Sequence, residues 1–126
     1  MTDIRPFQIN ISEEIFDDLK IRLKNTHWPD EIFQSGWDYG PNLNYMKGLI
    51  EYWKDQFNWR AQEKFLNTFS HFTTNIDGLN IHFIHERGKG ANPIPLIITH
   101  GWPSSFVEMT KIIPLRVKVL GFGSVY

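Results

Sequence analysis

The chain has 126 residues, 41% of them hydrophobic, 15% aromatic and 21% charged. That is enough for one domain, or part of one, with a bulky core, and it excludes disorder as the ground state. Thirteen Lys and Arg against 14 Asp and Glu leave a net charge of −1, spread along the chain, so neither a nucleic-acid nor an anionic-membrane partner is expected. The absence of cysteine removes disulfides, thiolate chemistry and the commonest structural zinc ligands, and it permits a reducing cytoplasm.

The N-terminus lacks the short apolar run of a signal peptide, and no segment approaches the roughly 20 apolar residues of a membrane span. A soluble protein is expected. Ser12 followed by Glu13 and Glu14 predicts a capped helix start with negative charge at the positive end of the dipole. Ile15, Phe16, Leu19 and Leu23 share one face of that helix, which should end near Asn25. From 26 to 41 the breakers Trp28-Pro29, Gly36 and Gly40-Pro41 are too close for a helix, and Phe33, Trp37 and Tyr39 suggest an ordered loop pinned by aromatics. Asn42 should cap a second helix whose Leu43, Met46, Ile50, Trp53 and Phe57 keep helical spacing. Asn58 should cap a third, running through Trp59, Gln62, Phe65 and Leu66 to about Phe69.

The period then changes to two. Phe72, Thr74 and Ile76 alternate with polar neighbours, Asp77-Gly78 follows, and Leu79, Ile81 and Phe83 resume the alternation. Asp-Gly between alternating strands predicts a hairpin, because both turn residues need positive φ. Residues 95–99, without alternation, read as a short strand covered on both faces. His100-Gly101-Trp102-Pro103 then makes a sharp turn, and Ser104 or Ser105 caps a helix containing Phe106, Val107, Met109, Ile112 and Ile113. Hairpin, buried strand, turn and helix together predict the opening of an α/β fold.

Few residues invite chemistry. His82 and His85, three apart on a strand, fall on opposite faces and cannot share an ion, and His71 is placed on the polar face of the first strand, so no metal site is expected. Ser104 and Ser105 lack a G-x-S-x-G context and read as caps. Gly121-Phe122-Gly123 is followed by no helix and is read as a flexible tail rather than a dinucleotide fingerprint. No cofactor is implied. The turn at His100-Gly101-Trp102-Pro103 stands apart: a turn leaving a buried strand for a helix is where α/β sheets place ligands, and its backbone N–H groups can face a developing oxyanion. The plain alternative is a tight connection with no chemistry.

At this point several motifs, in order, resemble the N-terminal region of microsomal-type epoxide hydrolases of the α/β-hydrolase superfamily. They are Pro6-Phe7, Asn25-Thr26-His27-Trp28-Pro29-Asp30, Trp37-Asp38-Tyr39-Gly40, Tyr52-Trp53, Trp59-Arg60, Phe72-Thr73-Thr74, the Ile76-Asp77-Gly78-Leu79-Asn80-Ile81-His82-Phe83 hairpin and His100-Gly101-Trp102-Pro103. The likeness spans about residues 6–114. It implies a helical meander over 1–70, the start of an α/β-hydrolase core over 71–114, and a divergent tail over 115–126. It also implies a reaction on a small-molecule epoxide, giving a vicinal diol. In that family an aspartate opens the epoxide, lid tyrosines donate to the leaving oxygen, and a histidine with an acidic partner activates water to hydrolyse the resulting ester.

Of these parts only the oxyanion turn maps here: the backbone N–H of Trp102, with His100, Gly101 and Pro103 shaping the bend. Beyond Pro103 the chain contains neither Asp nor His, so it offers no bearer for nucleophile or base and is expected to be inactive alone, as from a truncated gene product. A non-catalytic interaction module is the alternative. The resemblance further implies a cytoplasmic parent and a cis Trp102-Pro103 bond against the usual trans preference; a sheet cut after its third strand would leave an open edge, from which self-association is expected.

Overall fold

The structure, a computed structural model, describes residues 3–88 and 92–115. The chain divides into two compact units, Asn10–Trp59 and the pair of segments Met1–Ile9 with Arg60–Tyr126. The expectations for 116–126, including the Gly121-Phe122-Gly123 tail, lie outside the described residues.

In the first of these units, helix α1 spans Glu13–Lys24 and helix α2 spans Leu43–Asp55. Both follow the 3.6-residue spacing of their apolar side chains. Ser12 occupies the N-cap of α1 in extended conformation, but its hydroxyl makes no capping bond; the acidic first turn is left to serve that helix end through its charge. Leu23 is buried and Phe16 packs on the ring of Trp59, whereas Ile15 is exposed, so the inward stripe of α1 is narrower than its sequence suggests.

At α2 the Asn42 side chain accepts from Tyr45 N at 3.0 Å, the expected cap. A second cap comes from the loop: Glu31 Oε1 accepts from Leu43 N at 2.8 Å and from Asn42 Nδ2 at 3.2 Å. This carboxylate satisfies an amide that the helix cannot reach, next to the positive end of its dipole. The aromatics contribute less than expected. Trp37 meets Tyr45 with ring centroids 5.2 Å apart, but Phe33 and Tyr39 are exposed, and the loop is anchored chiefly by Glu31.

The other unit is built on a hairpin. Helix α3 covers Trp59–Leu66, after which the backbone tightens through Thr68 N to Phe65 O and Phe69 N to Leu66 O and enters the sheet. Three strands, β1 (Arg5–Pro6), β2 (His71–Ile76) and β3 (Leu79–Ile84), pair antiparallel in the order β1-β2-β3. The two-residue turn has φ of 50° at Asp77 and 85° at Gly78, the paired positive values a type I′ turn requires.

Strand β1 is absent from the sequence reading: two residues show no period, and its place is set by pairing with β2 and by Phe7 N donating to His71 O at 2.9 Å. Nearby, the Asn67 side chain closes a two-point clasp on the Ile9 backbone, at 2.9 and 2.8 Å. The core centres on Ile84 and Ile113, with Phe69, Ile98, Phe106 and Met109 packed against them.

Two expectations are corrected. Residues 95–99 form no strand: a strand exists only when a neighbour takes its N–H and C=O groups, and none of the described strands pairs with this segment. The segment after Ser105 is a 3₁₀ helix, Phe106–Lys111, rather than an α-helix; it is capped by the Ser105 hydroxyl, which accepts from Val107 N at 3.4 Å.

Candidate functional site

The turn that carries the functional expectation lies between the core and solvent. Ile98 enters the core on its upstream side and Phe106 on its downstream side, so both ends of His100-Gly101-Trp102-Pro103 are fixed by packing. The Trp102–Pro103 peptide bond is cis, as expected. Trp102 itself is 95% exposed; its indole takes no part in the core, and among the described residues its N–H has no acceptor. The His100 Nδ1 donates to Gly101 O at 3.0 Å, which ties that side chain to the bend itself. Beside the turn lies an apolar cleft of about 570 Å³ bordered by Thr99, His100 and Ser105 at one end and by Ile81, Phe83 and Met109 elsewhere.

His71 departs from its expected place on a polar face: it is only 4% exposed. The register of β2 and β3 pairs His71 with Ile84 and Thr73 with His82, which puts His71 and His82 diagonally on one face. Their rings stack with centroids 5.1 Å apart, and His71 Nδ1 lies 3.0 Å from His82 Nε2. The other His71 nitrogen, Nε2, donates to Leu66 O at 2.7 Å. A carbonyl can only accept, so Nε2 of His71 carries a hydrogen, and Nδ1 shares a hydrogen bond with His82 Nε2 whose direction is set by the tautomers. Phe106 packs against both rings and Phe7 against His82.

The sequence held the signal for this pair. A two-residue turn at Asp77-Gly78 fixes the whole register, and counting back from it places 71 and 82 on the same face. His85, by contrast, lies beside Phe72, on the opposite side of the hairpin from His82, as its spacing requires.

Burial, and after it the neighbouring His71 ring, hold the His82 imidazole below its usual value near 6.5. A base whose proton affinity is lowered on folding contributes its full share of stability above the unfolded value, and that share is lost as pH falls below it. Unfolding by urea should therefore show a midpoint that is level above about pH 7 and declines towards pH 5. In His82→Gln, which keeps an N–H donor for His71 without titrating, the decline should be shallower. An equal decline in both proteins would remove His82 as the source.

A second apolar groove, of about 610 Å³, runs between α1 and α2 and is lined by Leu19, Leu23, Leu49, Trp53 and Phe57. Its cationic neighbour Lys54 is paired with Glu51 and Asp55. The lining of the groove is overwhelmingly apolar, with Lys20, Tyr52 and Lys54 its polar members and neither His nor carboxylate among them.

Comparison with known proteins bears on the same region. The family model described as epoxide hydrolase N terminus matches residues 4–109. Epoxide hydrolase 1 of Oryctolagus cuniculus is 43% identical over 116 residues, which cover 89% of this chain and 26% of that protein. Juvenile hormone epoxide hydrolase 2 of Ctenocephalides felis is 42% identical over 117 residues, covering 90% and 25%. Among solved structures, the juvenile hormone epoxide hydrolase of the silkworm Bombyx mori superposes with a TM-score of 0.87 at 34% identity, over 99% of this chain and 35% of that one. The Aspergillus niger epoxide hydrolase gives 0.85 at 32%, over 98% and 34%. The chain thus spans about a quarter of the length of these curated relatives and about a third of the solved chains.

Proposed function

Since the chain belongs to the epoxide hydrolase N-terminus family and has the fold of the N-terminal part of an α/β-hydrolase, we propose that it supplies the oxyanion turn of an epoxide hydrolase and is inactive alone. The observation that carries this reading is the turn at 100–103, held at both ends by Ile98 and Phe106, with the Trp102 N–H lacking an acceptor among the described residues. In the reaction, a carboxylate oxygen attacks an epoxide carbon, the ring C–O bond breaks, and the freed oxygen takes up a proton. Water then adds to the ester carbonyl. The oxygen that gains charge in this second step is the one an unengaged N–H stabilises, before collapse releases the diol and restores the carboxylate.

Residues 71–114 fill the core-building role in this reading and residues 1–70 the wrapping role. The substrate in this reading is an epoxide, the class from which the relatives take their names.

The test is a covalent chimera in which residues 4–109 replace the matched region of Oryctolagus cuniculus epoxide hydrolase 1. It should hydrolyse styrene oxide. Trp102→Phe, which keeps the N–H, should change turnover little, while Trp102→Pro, which removes it, should slow ester hydrolysis by roughly 10²–10³-fold. Because alkylation precedes the step affected, the Trp102→Pro chimera should accumulate the ester, visible as a mass increase equal to the epoxide. Inactivity of the folded parent chimera would refute the reading. Equal turnover in both variants would remove Trp102 from the oxyanion site.

A further inference from the structure

His71 and His82 share the hairpin face on which Ile84 is buried. Aliphatic side chains would fill such positions without taking ring nitrogens out of water. What an aliphatic pair lacks is direction. His71 is bonded at both nitrogens: Nε2 donates to Leu66 O at 2.7 Å, and Nδ1 shares a bond of 3.0 Å with His82 Nε2. Two directional bonds on one ring fix its plane, and the second also fixes the edge of the His82 ring. The end of α3 is thereby tied through two imidazoles to β3.

The contacts continue from His82 towards the turn. Phe106 lies on both imidazoles, its ring centroid 5.0 Å from that of His82 and 5.7 Å from that of His71. Phe106 has no polar atom, so only the shape of its surroundings sets its ring, and here those surroundings are two rings held by hydrogen bonds. It opens the 3₁₀ helix that follows the turn, and its place in the core fixes the downstream end of residues 100–103. His82 also borders the apolar cleft beside the turn, together with His100 and Ser105.

We infer that His82 is a positioning residue of the oxyanion turn: anchored through His71 to Leu66 O, it holds Phe106, and through Phe106 it aims the Trp102 N–H. The inference rests on the functional reading above. It differs from a role in packing alone by the step it touches. Loss of a mere core filler loosens the fold and slows every step alike. Loss of aim falls on ester hydrolysis, because only in that step does the N–H meet a developing oxyanion.

The experiment has two arms. In the full 126-residue chain, amide NMR of His82→Ala should show the Trp102 and His100 resonances displaced, while those of Asp77 and Gly78 at the far end of the hairpin stay in place. His82→Gln, which can bond to His71 in either direction, should return them. In the covalent chimera, single-turnover kinetics with styrene oxide should show alkylation within about twofold of the parent and ester hydrolysis slowed roughly tenfold or more in His82→Ala, short of the 10²–10³-fold expected when a donor is removed. His82→Gln should restore most of that rate. Phe106→Leu, which keeps an apolar side chain in the core and leaves the histidine pair intact, should slow the same step, and it decides the matter if His82→Ala does not fold. The two substitutions together should slow hydrolysis no more than the larger one alone, because they act through one contact.

Unmoved Trp102 and His100 resonances in folded His82→Ala would overturn the inference. So would equal slowing of both chemical steps, which marks a packing role, and so would a His82→Gln chimera as slow as His82→Ala, since the bond to His71 would then not be the anchor. Multiplying effects of the two substitutions would remove Phe106 as the link and overturn it as well. Any of these results in an active parent chimera leaves the functional reading standing. An inactive parent chimera refutes that reading, and the inference falls with it.

Discussion

Styrene oxide incubated with the purified 126-residue chain should yield no diol above the buffer rate. The expected loss, relative to a complete hydrolase, is the whole of the enzymatic acceleration, roughly 10⁶-fold or more. The first step needs a carboxylate at an elbow where it can reach the epoxide. Asp77 occupies a hairpin turn with φ of 50°, and Glu31 is committed to the α2 amide of Leu43. The second step needs a base that can take a proton from water. His71 is enclosed between Leu66 O and His82, His82 is made a weaker base by burial and by the His71 ring beside it, and His100 is bonded to its own bend. An N–H at Trp102 stabilises an oxyanion only once an ester exists to form one. Chiral chromatography of the diol separates enzymatic from solvent opening. Enantioselective diol formation that persists after host hydrolases are removed, and that falls in a variant of this chain, would overturn this account.

How far the sequence anticipates the molecule depends on how local each determinant is. The Asp77-Gly78 hairpin is legible because two adjacent residues dictate its φ values and hence its register. Helices α1 and α2 are legible because burial repeats every 3.6 residues, and the Asn42 cap because its bond spans only three positions. The cap from Glu31 is not legible: the carboxylate reaches Leu43 across a loop of irregular backbone, with no period to announce it. The same holds for β1, which is a strand only because β2 pairs with it.

The error at 95–99 comes from the converse case. Its side chains alternate in burial as a strand's do, but hydrogen-bonding is a property of two segments, and apolar character alone does not provide the second. At the turn, the motif and its cis bond follow from likeness to a family. The burial of His71 follows from strand register, which was available in the sequence but had to be combined with the turn geometry.

Replacing Ile113 by Ala should cost unit Met1–Ile9 with Arg60–Tyr126 more stability than any exposed substitution in it, on the order of 2–5 kcal/mol. Ile113 is 2% exposed and packs with Ile84, and the cluster is completed by side chains that are only half-buried. Truncation to Ala leaves a cavity that its neighbours must either tolerate or fill by shifting. Ile98 and Phe106, the two side chains that fix the ends of the 100–103 turn, are among those neighbours. The loss therefore falls on the folding energy and on the geometry of the turn together. Against a total stability typically of about 5–15 kcal/mol for a whole domain, a core this small has little margin. The β2–β3 amides should exchange markedly faster in Ile113→Ala at 25 °C, and the urea midpoint should fall. Ile97→Ala supplies the comparison, because its exposed side chain should matter by no more than about 0.5 kcal/mol. Equal midpoints for the two variants would show that the Ile84–Ile113 cluster is not what holds the hairpin to the turn.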